Sequence, residues 1–232
     1  MIVTDDPAGT LAAALTERIA AVQAGGNVAR IALTGGTIAA EAYRRLGPGK
    51  ADWSRVKFWW SDERFVPEGH ADRNAVQARE AFLDRLAVPP EHIHPMPAHG
   101  CDRSMADAAD DYATSLPEGG FDVMLLGLGP DGHVASLFPG FAQLTETRRR
   151  VVEVFGSPKP PPERITLTYP ALNDADAVWL VASGEGKAEA VARALATEGS
   201  VAETPARGVQ GRAETRWFLD PAAASKADLT GP

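Results

Sequence analysis

The segment Gly127-Leu128-Gly129-Pro130-Asp131-Gly132-His133 concentrates more chemistry than any other part of the chain. Its glycines and proline enforce a loop, and the apolar run before it, Phe121 to Leu126, reads as a buried strand. A histidine at a strand end can act as a general base near neutral pH, because an unperturbed imidazole titrates at about 6.5. Asp131 lies two residues earlier, across a glycine. The loop could bend its carboxylate toward the imidazole, to set the tautomer or stabilise the charged form. The ordinary alternative is a buried histidine held by structural hydrogen bonds.

Three other segments could hold an anion. In Thr34-Gly35-Gly36-Thr37, two glycines allow close backbone approach, and the amides opening the next helix point outward. Thr34 and Thr37 add hydroxyl donors. Ser61-Asp62-Glu63-Arg64 follows a Trp-rich run, and Arg64 can grip a phosphate or carboxylate through two hydrogen bonds. Read blandly, these four polar residues are a solvated charge run, and Asn74, ten residues beyond Arg64, is a helix N-cap. In Ser183-Gly184-Glu185-Gly186-Lys187 a lysine stands near a helix start, where the dipole disfavours a cation unless an anionic ligand is bound. Arg164, after a proline-rich loop, is a weaker candidate for the same anion.

Other reactive side chains carry less. His92-Ile93-His94 has alternate spacing, but Pro90 and Pro95 flank it, so a solvated loop is expected rather than a metal site. Cys101 is the only cysteine, which forbids an intrachain disulfide and a Cys-rich metal centre. No serine sits in a nucleophile-elbow motif.

These residues need elements to position them. Asp6-Pro7 reads as an N-cap and first-turn proline, with helical spacing from Leu11 to Ala24. Val28–Leu33 and Val56–Trp60 read as strands, and Ile38–Leu46 as a helix. A polar loop is expected after Trp60, then a helix from about Ala75 to Leu86. Ser104-Met105-Ala106-Asp107 resembles a capping box opening a helix to about Ser115. Val151–Phe155, Arg164–Thr168, Ala177–Val181 and Arg216–Leu219 read as further strands, and Lys187–Ala196 as an amphipathic helix. Between the first two of these strands lies Ser157-Pro158-Lys159-Pro160-Pro161-Pro162, a stiff loop expected at the rim of the site. Strands alternating with helices predict one α/β domain spanning residues 1–232, with an open, mostly parallel sheet covered by helices on both faces. In such sheets, ligands bind outside the carboxyl ends of the strands.

The 232 residues carry 23 Lys+Arg against 31 Asp+Glu, a formal net charge of −8, which argues against a nucleic-acid partner. No apolar run approaches the ~18 residues of a membrane span, and the start of the chain lacks a signal-peptide pattern. A cytoplasmic protein is expected, either a monomer or a homodimer.

Together and in this order, the segments resemble the 6-phosphogluconolactonase family. Leu126 to Gly140, reading LGLGPDGHVASLFPG, is close to that family's signature. Asp62-Glu63-Arg64 with Asn74, Arg164-Ile165-Thr166-Leu167-Thr168, and Gly184 with Lys187 match its other blocks, so the likeness runs from Leu33 to about Gln210. Departures exist. The family's Gly-Gly turn usually continues Ser-Thr-Pro, whereas here it reads Thr37-Ile38-Ala39, with one hydroxyl fewer. Arg73 and Val134 stand where Ser and Thr are common. The resemblance implies the fold shared with glucosamine-6-phosphate deaminases and ribose-5-phosphate isomerases, and hydrolysis of 6-phospho-D-glucono-1,5-lactone without metal or organic cofactor. It implies His133 and Asp131 as catalytic residues. Gly35, Gly36, Thr37, Asp62, Arg64, Asn74, Gly129, Arg164 and Lys187 would hold the sugar-phosphate lactone. A ring-opening deaminase or isomerase acting on an amino-sugar phosphate shares the fold and the phosphate turn, and a non-catalytic sugar-phosphate-binding module is the reading from a different class.

Overall fold

The first helix begins where its cap dictates. In the computed structural model, which describes residues 1–100 and 103–228, Ile2–Val3 (β1) leads to Asp6, whose carboxylate accepts the Gly9 amide at 3.0 Å and caps Pro7–Ala24 (α1). Cys101 lies outside the described residues. Ala29–Leu33 (β2), Thr37–Arg45 (α2) and Val56–Trp60 (β3) follow.

The next segment departs from the expected polar loop. Asp62–Arg64 is a strand (β4), and Ser61, Asp62 and Glu63 are buried. Asn74–Ala78 (α3) continues as a π-helical turn over Arg79–Leu83, in place of one regular helix to Leu86. Ser104 caps Met105–Ser115 (α4): its hydroxyl accepts the Asp107 amide at 3.1 Å and donates to the Asp107 carboxylate at 2.7 Å. Phe121–Gly127 (β5), Val151–Val154 (β6), Arg164–Leu167 (β7), Tyr169–Leu172 (α5) and Ala175–Ala182 (β8) come next. Ala188–Leu195 (α6), Glu214–Leu219 (β9) and Pro221–Ala224 (α7) complete the described elements.

Six strands form a wholly parallel sheet in the order β1-β9-β8-β5-β2-β3. Both of its faces are buried, as parallel sheets require. Alternation along each strand divides the core. Ile31, Leu33, Val123, Leu125, Trp179 and Val181 pack on the side of α1 and α2, whereas Ala32, Met124, Leu126, Val178 and Leu180 pack on the side of α4 and α6. This two-sided burial explains why the strands read as continuous apolar runs.

Val151–Val154 and Arg164–Leu167 do not extend this sheet. They pair antiparallel with each other, and β7 pairs antiparallel with β4, giving a second sheet in the order β4-β7-β6. The expectation of one mostly parallel sheet therefore holds for the main layer and misses the small one.

From adjacent β2 and β5 the chain departs in opposite directions, to β3 on one side and to β8 on the other. The crevice at such a reversal is where open α/β sheets bind ligands. The Gly127 amide donates to Thr34 Oγ1 at 3.2 Å across the carboxyl ends of these two strands.

Candidate active site

A cavity of about 540 Å³ opens at this crevice. Residues following β2, β5 and β8 form its floor, and β4, α3 and the proline-rich loop form one wall. Of the residues selected from the sequence, Gly35, Gly36, Thr37, Asp62, Arg64, Asn74, Gly129, His133, Arg164 and Lys187 all line it. Asp131 stands behind His133 instead.

The Asp–His pair is built by the loop after β5. The Gly129 amide donates to the His133 carbonyl and the Gly132 amide to the Gly129 carbonyl, each at 2.9 Å, so the loop folds back on itself. This brings Asp131 Oδ1 to 2.5 Å from His133 Nδ1. Gly129 allows the closure, since a Cβ there would lie 2.0 Å from His133 Nδ1 and 2.4 Å from Asp131 Oδ1. The imidazole also packs against the Phe138 ring at 4.6 Å and is only 13 % exposed. Burial opposes the charge on Asp131, but the hydrogen bond and charge of His133 outweigh it and hold the carboxyl at about 2. With Asp131 ionised, Nδ1 carries the proton and Nε2 keeps a lone pair for the cavity.

The Gly-Gly turn opens the N-terminus of α2 toward the cavity. Gly36 has φ +105° and caps α2 with no side-chain partner for the first-turn amides. A positive φ of this kind suits glycine alone. The open amides and the helix dipole favour an anion there.

Lys187 sits at the start of α6, half-buried, and its Nζ donates to the Leu128 carbonyl at 2.6 Å. It thus ties the β8 end to the loop carrying His133. Burial pushes its ammonium pKa down, Lys159 adds to this, and Asp131 opposes it.

The wall from the small sheet is chemically different. Asp62 accepts a 2.7 Å hydrogen bond from the buried Ser136 hydroxyl, and its backbone carbonyl accepts one from Asn74 Nδ2 at 2.8 Å. Glu63 accepts the amides of Arg64, Asn74 and Ala75 at 2.7–2.9 Å, with Arg73 Nε at 3.8 Å. Burial pushes the Glu63 carboxyl up, and Arg73 and the three amides pull against it. The bland reading of this segment as a solvated charge run is therefore corrected. Asn74 does not cap α3 with its side chain; Glu63 supplies the oxygens. Arg64 donates to the Asp72 carbonyl. Arg164 is 5 % exposed, and its guanidinium donates to the carbonyls of Pro161 and Lys159, both at 2.9 Å, and faces Asp62 at 3.9 Å. It lines the cavity, yet its hydrogen bonds go to the loop.

Sequence reading missed Glu63, Ser136 and Lys159 as parts of this site. Glu63 reaches amides up to 12 residues away, and Ser136 pairs with Asp62, 74 residues away, with no local signal. Lys159 had one: a lone cation inside a proline run. His92 and His94 are not in a solvated loop either. Ile93 bridges to Phe58, and His94 stacks on Trp59 at 4.4 Å.

Fold and site together define an α/β protein in which a carboxylate-paired imidazole and an open helix N-terminus line one cavity at a topological switch point. The family model described as glucosamine-6-phosphate isomerases/6-phosphogluconolactonase matches residues 4–217, and the chain belongs to this family. It is 48 % identical to a 6-phosphogluconolactonase of Streptomyces coelicolor, over 93 % of this chain and 88 % of that protein. It is 45 % identical to one of Mycobacterium tuberculosis, over 89 % and 88 %. A solved 6-phosphogluconolactonase structure from Trypanosoma brucei superimposes with a TM-score of 0.80 at 28 % identity, covering 98 % of both chains.

Proposed function

We propose that the protein hydrolyses 6-phospho-D-glucono-1,5-lactone to 6-phosphogluconate, an early step of the oxidative pentose phosphate pathway. The observation that carries this reading is the Asp131–His133 pair facing the same cavity as the open N-terminus of α2. Relatives of 45–48 % identity that bear the lactonase name support it against the deaminase alternative. Among the described residues no helix is long and apolar enough to cross a membrane, which fits an enzyme acting in the cytoplasm.

The lactone carbonyl is already electrophilic, so water can attack it directly. His133 Nε2 takes a proton from that water as it adds to C1, giving a tetrahedral oxyanion. Asp131 stabilises the imidazolium that forms and keeps the ring in place. The C1–O5 bond then breaks, and the imidazolium returns its proton to the departing ring oxygen. Such acid–base catalysis contributes about 10²- to 10⁴-fold. Holding the phosphate at Gly36, Thr37 and Lys187 sets C1 beside the imidazole and supplies much of the rest.

The test is turnover of the lactone in an assay coupled to 6-phosphogluconate dehydrogenase, corrected for spontaneous ring opening. Enzyme-dependent production of 6-phosphogluconate is expected. A rate with glucosamine 6-phosphate and none with the lactone would replace this reading by the deaminase one.

A further inference from the structure

The proline-rich loop presents an unassigned cation to the cavity. Lys159 and Pro160 line it, on the same wall as Arg164. The loop backbone is held in place: the Lys159 carbonyl accepts from Arg164 Nη2 at 2.9 Å and from Ser157 Oγ at 3.0 Å, and the Lys159 amide donates to Ser157 Oγ at 3.3 Å. Pro158, Pro160, Pro161 and Pro162 stiffen it further. The buried guanidinium of Arg164 therefore sets the position of Lys159 and leaves the lysine side chain exposed.

The charges around Lys159 are unbalanced. Lys159 and Lys187 line the same cavity, and after burial the Lys159 charge is the next cause that lowers the Lys187 ammonium pKa, with Asp131 opposing it. Among the described residues neither ammonium forms an ion pair. The carboxylates on the cavity wall are engaged elsewhere: Glu41 pairs with Arg45 at 2.5 Å, and Asp62 accepts from Ser136 and faces Arg164. Two neighbouring ammonium groups at a half-enclosed site repel each other until an anion lies between them.

We propose that Lys159 is a second phosphate-binding cation, closing on the phosphate opposite Lys187, and that Arg164 is a positioning residue acting through the Lys159 loop. Resting on the lactonase reading for its ligand, this gives Lys159 the contact that the sequence suggested for Arg164. It also makes the loop a determinant of selectivity for phosphorylated over unphosphorylated lactones.

The experiment compares wild type with Lys159→Met, which keeps the stem and removes the charge, with Lys159→Arg, and with Lys50→Met as a control for net charge. Calorimetry with 6-phosphogluconate and steady-state kinetics with the lactone are the readouts. Lys159→Met should raise both Kd and KM about 10- to 100-fold, the range for losing one charge-assisted hydrogen bond, with kcat within about threefold. Lys159→Arg should recover most of the affinity, and Lys50→Met should match wild type. Wild-type binding of 6-phosphogluconate with an unchanged Kd in Lys159→Met overturns this proposal alone. An equal loss in Lys50→Met also overturns it, because the effect would then be net charge. A wild type that neither binds 6-phosphogluconate nor turns over the lactone overturns the lactonase reading as well.

Discussion

The two walls of the cavity use polar residues in opposite ways. Groups at the carboxyl ends of the parallel strands keep chemical capacity free: the Nε2 face of His133, the first-turn amides of α2 and the ammonium of Lys187. Groups from the small antiparallel sheet are largely engaged by partners within the protein. Glu63 accepts backbone amides, Asp62 accepts the Ser136 hydroxyl, and Arg164 donates to loop carbonyls. The difference follows from backbone geometry. Parallel strands end together on one side and release their loops into a shared crevice, where open helix termini leave donors without internal partners. A strand such as β4, with buried polar side chains, must satisfy them locally, because an unpaired buried polar group costs about 1–3 kcal/mol.

Substitutions on the two walls should therefore separate catalysis from stability. The largest effect belongs to His133→Ala, expected to lower kcat by about 10²-fold or more with little change in folding, as measured by coupled lactonase kinetics. A near-wild-type kcat would remove His133 from the reaction. Gly129→Ala should come next, with a loss in kcat of up to about 10²-fold, the scale for a misplacement of about 1 Å. Its added methyl would occupy the place of the Asp131–His133 contact. A crystal structure of that variant with the 2.5 Å contact intact and full activity would break the argument.

On the other wall, Glu63→Gln should behave in the reverse sense. Denaturant unfolding should show a loss of about 1–3 kcal/mol, the cost of disturbing a buried polar network, while kcat stays within a few-fold. A collapse of kcat at unchanged stability would place Glu63 in the chemistry and erase the contrast between the walls.

The smallest effect concerns His94, away from the cavity. Burial foremost, then the charges of Lys57 and His92, lower its imidazole below the ordinary value of 6.5. The folded state therefore binds this proton less readily than the unfolded state. The stability involved is present above pH 6.5 and declines as pH falls through that value. His94→Phe, which can keep the stack on Trp59, should narrow the fall in Tm between pH 7 and pH 5 by no more than about 2 °C. An unchanged pH dependence would show that His94 does not titrate across unfolding.

Much of this organisation was legible because its causes are local. Strand and helix periods, the Asp6 and Ser104 caps, and the glycine-marked turn of Gly35 and Gly36 each depend on neighbours a few residues apart. The Asp131–His133 pair was legible for the same reason: a two-residue spacing within one loop. The small sheet was not. Asp62-Glu63-Arg64 is short and charged, and its partner strand lies about a hundred residues further along the chain. Nothing near it in sequence distinguishes a buried, satisfied charge run from a solvated one.

The sequence by itself determined a parallel α/β layer, the strand ends that line the cavity, and the imidazole that faces it. These follow from hydrophobic period, capping and turn chemistry, which act over one or two turns of chain. Only the tertiary structure decided which of the selected polar residues remain free. Arg164 and Arg64 look alike as cations in the sequence. In the fold, Arg164 is buried and bonded to the loop it supports, and Lys159 on that loop reaches the cavity instead. The reason is physical: a side chain's availability depends on which distant donors and acceptors already satisfy it, and packing alone brings those together.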